Sequence, residues 1–179
     1  MLTALLNLSA ACTLNLLFFL SCFTHSVYFA PGIGNTPDME LYTDDYVILP
    51  EVSLMTGVRQ WEHEGSSVID HVFNYIKDND DRSVFGLFIS SSINIRTKWQ
   101  FFILNRESWI GKPVPVIPMT INMYMDIIKF IYENEITINS FIQLIKDMHM
   151  LSLSSNDFET WFNGSDKCID SWKNRVFNS

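Results

Sequence analysis

"PDMELYTDDYVILPEVSLMTG" spans Pro37–Gly57, and its reading decides the fold. Met39 and Leu41 alternate with Glu40 and Tyr42, the period of a half-buried strand. Thr43-Asp44-Asp45 follows as a tight turn, and a more apolar run, Tyr46–Leu54, reads as a second strand. Two strands joined by so short a turn form a hairpin. Pro50 lacks a backbone N–H, so a bulge or an edge position is expected there. Asp38 opens the first strand and Glu51 lies towards the end of the second, which sets both carboxylates at the open end of the hairpin. Two readings of the pair remain open. An Asp after Pro is ordinary turn chemistry and Glu51 a solvated charge, or the two share a hard cation such as Mg²⁺, which takes one or two protein carboxylates and keeps its waters.

The remainder of the chain supplies the setting. Its 179 residues suffice for one domain with a sizeable core, and 47% of them are hydrophobic. The formal charge of −8, with all 12 basic residues at or beyond Arg59, excludes nucleic-acid binding by bulk charge alone. The three cysteines, Cys12, Cys22 and Cys168, have no metal-ligand spacing and do not make a disulfide scaffold, which favours the cytoplasm. Residues 1–24 are apolar and uncharged. Leu5, Leu8, Cys12, Leu16 and Phe19 recur at helical spacing, which suits a helix buried against a sheet. The alternative is a secreted or membrane-anchored, non-enzymatic interaction protein, held through residues 1–30.

Further along, 25–30 reads as a strand and 31–35 as a turn. Val68, Ile69, Val72, Phe73 and Ile76 form the stripe of an amphipathic helix, with Ser67-x-x-Asp70 as a variant capping box. Val84–Ser90 suits a buried central strand, and the prolines of Val114–Met119 suit an edge strand. Residues 120–134 and 137–151 read as helices, and 156–177 as one or two shorter ones carrying Trp161 and Trp172. The fold class is α/β (α+β): a mixed central sheet with a β-hairpin, flanked by helices. Residues 1–151 are taken as the core and 152–179 as a helical extension of the same domain.

Four blocks occur in order: "PGIGNTPDMELY", "PEVSLMTGVRQWEHEG", "SVFGLFISSSINIRT" and "VIPMTINMYMDIIKFI". Together they resemble the nuclease domain of AlwI-type (type IIS) restriction endonucleases, within the PD-(D/E)XK superfamily. The resemblance implies a restriction-endonuclease-like fold and a Mg²⁺-dependent DNA endonuclease, with Mn²⁺ as a substitute. It implies Asp38 and Glu51 as metal ligands, and double-stranded DNA as substrate. A homodimer for double-strand cleavage and a cognate methyltransferase are the expected partners, with no stable membrane association. Ser53 stands where the superfamily usually has Lys, so that role is absent or has moved. Arg59 is a candidate to stabilise phosphate charge, and Gln60 to position water; either is equally read as a surface residue. His71 lies off the apolar stripe, as a plain half-exposed His or as a residue near the scissile phosphate. Arg96 and Lys98 are candidates for the DNA backbone or simply surface charges, whereas Glu62 and Glu64 read as solvated charges at a helix start. The sequence-reading region of such enzymes has no obvious counterpart, so the chain is expected to be a fragment of a larger endonuclease.

Overall fold

The computed structural model describes residues 37–79, 81–107 and 111–178. The expected first helix, the strand at 25–30 and the turn at 31–35 lie outside the described residues. Strands β1 (Leu41–Tyr42), β2 (Tyr46–Ser53), β3 (Ser83–Ser90) and β4 (Val116–Thr120) form one sheet in that order. β1 pairs antiparallel with β2, closing the hairpin, while β2–β3 and β3–β4 are parallel. The fold class is therefore the mixed α/β arrangement expected, with β3 central and β4 at the edge.

Pro50 makes no bulge, contrary to one of the two expectations, because the β2–β3 register runs without interruption from Tyr46↔Ser83 to Ser53↔Ser90. Its nitrogen faces the β1 side, where ladder pairing has already stopped at Leu41↔Ile48, so no hydrogen bond is lost. On β4 the outward groups of Val116 are met by a side chain instead of a strand. Val116 N donates to Asn105 Oδ1 at 2.7 Å, and Asn105 Nδ2 donates to Val116 O at 3.2 Å. This blunts the open edge.

Helix α1 (Ser66–Asp78) lies on one face of the sheet and buries Val68, Ile69, Val72 and Ile76, the stripe expected. At Gly86 the sheet comes so close that an added Cβ would sit 2.6 Å from Val72 Cγ2, so the side chain is absent for space. The capping box at Ser67 does not form. The chain is already helical before it, in a wide π turn at Gln60–Gly65, and Ser66 and Ser67 are interior to a continuous helix. Gly57, at φ 65°, supplies the left-handed residue that starts this approach.

Helix α2 (Ile95–Arg106) was not expected. Its buried residues, Thr97, Phe101, Phe102, Leu104 and Asn105, share one face, but Thr97 and Asn105 on that face are polar, so hydrophobic periodicity could not reveal it. Asn94 caps it by accepting from Arg96 N at 2.9 Å. Helices α3 (Ile121–Glu133) and α4 (Ile138–Ser154) match expectation and are capped by Thr120 and Thr137. On the sheet face opposite α1, Phe85 meets His149 of α4 edge to face. The C-terminal stretch is one helix, α5 (Phe158–Phe177), rather than two. Trp161 and Trp172 pin it to α4, donating to Met148 O at 3.1 Å and Ser140 O at 2.8 Å. Among the described residues no helix is long and apolar enough to cross a membrane.

Candidate functional site

The hairpin register places the carboxylates. Leu41↔Ile48 and Tyr42↔Val47 extend by alternation to Asp38 opposite Glu51. Beyond the end of the formal ladder the side chains take over the pairing. Val52 N donates to Asp38 Oδ2 at 2.9 Å, and Asp38 N donates to Glu51 Oε2 at 3.4 Å. Asp38 is exposed, whereas Glu51 is only 9% exposed.

One face of the helix after the hairpin completes the constellation. Glu64, Val68, His71 and Tyr75 recur at spacings of four, three and four, a single stripe running along the hairpin. Tyr75 and Tyr42 hydroxyls both donate to Glu40, the latter at 2.8 Å, fixing the strand that carries Asp38. His71 Nδ1 bonds to Glu51 Oε1. Glu64 is half-buried and feels the negative charge of Asp38.

The electrostatics follow from burial. Desolvation raises the Glu51 carboxyl to about 6, with the Asp38 charge adding to the rise and the His71 bond opposing it. Glu64 is pushed up by desolvation first and by Asp38 second. A deprotonated Glu51 thus stands beside Asp38 at an energetic cost that a cation would relieve. The donor set consists of hard carboxylate oxygens, which fits Mg²⁺ or Mn²⁺ rather than a soft metal. Among the described residues no three His, Cys, Asp or Glu side chains form a ready cage for an ion. Magnesium tolerates this because it keeps several waters.

The other expected residues divide. Ser53 is on the Glu51 face but buried, and its Oγ accepts from Met55 N at 3.1 Å, ending the strand. Gln60 is wholly buried. Its Nε2 donates to Met55 O at 2.9 Å, Ser90 Oγ at 3.0 Å and Ser92 O at 2.8 Å, and its Oε1 accepts from Asn94 N at 2.7 Å. Both ends of the amide are thus occupied in holding loops together, which leaves nothing to position a water. Arg59, next to it, is exposed. Glu64 was read as a solvated charge and its approach to Asp38 was missed; its helical spacing from His71 was the available signal.

A polar groove of about 450 Å³ runs beside the site along α1, lined by His63, Ser67, His71 and Asn74 among others. A second cavity, of about 300 Å³, lies at the opposite end of the sheet by Ser83–Phe85 and plays no part in this constellation.

The AlwI restriction endonuclease family matches residues 27–127, more than half of the chain. No curated protein matches it. Among solved structures, the small subunit (R.BspD6I2) of the heterodimeric restriction endonuclease R.BspD6I shares the fold. The TM-score is 0.58 at 19% identity, over 81% of this chain and 71% of that one.

Proposed function

The chain belongs to the AlwI restriction endonuclease family, and on that premise we propose that it hydrolyses phosphodiester bonds of double-stranded DNA at the open end of the β1–β2 hairpin. The observation that carries this reading is the meeting of Asp38, Glu51 and His71 from a hairpin and the helix facing it, with Glu64 of the same helix face feeling the Asp38 charge. Asp38 and Glu51 would hold Mg²⁺, which supplies polarisation of the phosphate and acidification of a water. The backbone N–H of Val52 orients Asp38 through one oxygen, and its other oxygen has no hydrogen bond among the described residues. His71 orients Glu51 in the same way, as the outer partner of a ligand.

The work done by Lys in other members needs another residue, because the Ser53 hydroxyl is buried and uncharged. Glu64 fits it: a half-buried carboxylate with a raised proton affinity is suited to take a proton from an attacking water. One hairpin supplies one set of carboxylates. Cutting both strands therefore takes a second centre, from another copy or a companion subunit, and a cognate methyltransferase would protect the host's DNA.

Nicking of supercoiled plasmid with Mg²⁺ or Mn²⁺ tests this, comparing the chain with Asp38→Ala. The expected result is metal-dependent nicking that the variant lacks. Equal nicking by Asp38→Ala refutes the assigned site.

A further inference from the structure

We infer that Arg59 and Arg96 grip the DNA backbone across the end of the sheet where β2 and β3 finish. This rests on the nuclease reading and adds to it how an acidic chain holds its polyanionic substrate there. Carboxylates set against phosphates repel them, so cations must stand nearby and be free to bind. Most cations of this protein are not free. Lys173 and Arg175 pair with Asp126 and Asp147, Lys98 lies 3.7 Å from the Phe162 ring centroid, and Arg106 is held by the carbonyls of Ser152 and Ser155. Among the described residues, only Arg59, Lys77, Arg96 and Lys167 have a basic side chain with no such partner. Lys77 is in the last turn of α1 and Lys167 lies within α5.

Arg59 and Arg96 are different, because one brace positions both. Gln60 follows Arg59, and its amide oxygen takes the N–H of Asn94, the cap of α2, at 2.7 Å. Its amide nitrogen ties the same point to Ser90, which the sheet register sets beside Ser53, two residues beyond Glu51. Arg96 occupies the first turn of α2, where no acid is present. A cation there opposes the helix dipole, an arrangement that an incoming anion relieves. Both guanidinium groups belong to exposed residues. Val58 and Ile95 beside them are 54% and 58% exposed, apolar surface suited to sugar edges between phosphates.

The test is binding of the full chain to a fluorescent non-specific duplex, followed by anisotropy with Ca²⁺ in place of Mg²⁺ at several salt concentrations. Each of Arg59→Ala and Arg96→Ala should reduce the steepness of log affinity against log salt by about 0.9, and the pair by about 1.8. Arg59→Lys and Arg96→Lys should keep the slope, which a loss of folding would not. Lys77→Ala should leave it unchanged. An unaltered slope in the double variant, or no salt-dependent binding by the parent chain, overturns the inference. So does an unaltered slope accompanied by loss of self-association, which would make this face an interface between copies. If Asp38→Ala abolishes nicking while the arginine variants bind normally, the inference fails alone. If the arginine variants lose slope but no metal ion supports nicking, the nuclease reading fails alone.

Discussion

Replacing Glu51 by Gln should make the metal-free protein more stable while abolishing its activity. Glu51 is 9% exposed, and its carboxyl is raised from 4.5 to about 6. At 1.36 kcal/mol per unit, holding it ionised in the fold costs about 2 kcal/mol. The sign is that of an acid with a raised value. The folded state holds the proton more tightly, so the penalty is absent below 4.5, grows as pH rises, and is complete above about 6. Gln carries no such charge and keeps the bond to His71 through its oxygen. It gives up the 3.4 Å contact from Asp38 N, so 2 kcal/mol is the upper figure. For a chain of this size that is about 4–8 °C in Tm at pH 7.5 in EDTA. The difference should shrink towards pH 4.5, where both chains are neutral at this position. Divalent ion at about 100 times its Kd should then raise the parent by about 2.7 kcal/mol, and the variant by far less. Calorimetric melts at several pH values, with EDTA and with Mn²⁺, read all of this. Equal Tm values in EDTA from pH 4.5 to 7.5 would refute the claim that Glu51 is held against desolvation.

Three further outcomes follow from the packing. His71→Ala should weaken Mn²⁺ binding, measured by titration calorimetry, about 10–100-fold, because Glu51 loses the partner that orients it. Gln60→Leu takes the acceptor from Asn94 N and the donor from Ser92 O, and denaturant unfolding should show a loss of about 3 kcal/mol, at 1–3 per unpaired group. Gly86→Ala drives a methyl group into Val72 and should cost about 1–3 kcal/mol in the same assay. Adding Val72→Ala should then cost less than it does in the parent chain.

The hairpin was legible because its signals agree: alternation on both sides of a short turn fixes the register, and the register sets Asp38 opposite Glu51. The helical stripe of α1 was legible for the same reason, since Val68, Val72 and Ile76 bury one face. Where a local signal competes with a longer-range contact, the sequence misleads. Ser67-x-x-Asp70 has the letters of a cap, but the chain is already helical there. Pro50 suggests a bulge, yet its missing donor faces a side that needs none. Helix α2 buries one face, but polar Thr97 and Asn105 sit on it, so no hydrophobic periodicity announces it. At the site, Glu64 and Gln60 were misjudged in opposite directions. Glu64 looked like a solvated charge but is half-buried and feels the Asp38 charge, while Gln60 looked like a candidate for handling water and is a buried brace. Both depend on what a neighbouring element brings to them, which spacing along one chain does not record.

The most direct measurement is the anomalous scattering of Mn²⁺ in crystals of the full chain. One strong peak is expected at the open end of the β1–β2 hairpin, within about 2.1 Å of carboxylate oxygens of Asp38 and Glu51. That peak should be missing in Asp38→Ala crystals soaked identically. A peak elsewhere with none at the hairpin, or a hairpin peak that survives Asp38→Ala, would contradict it.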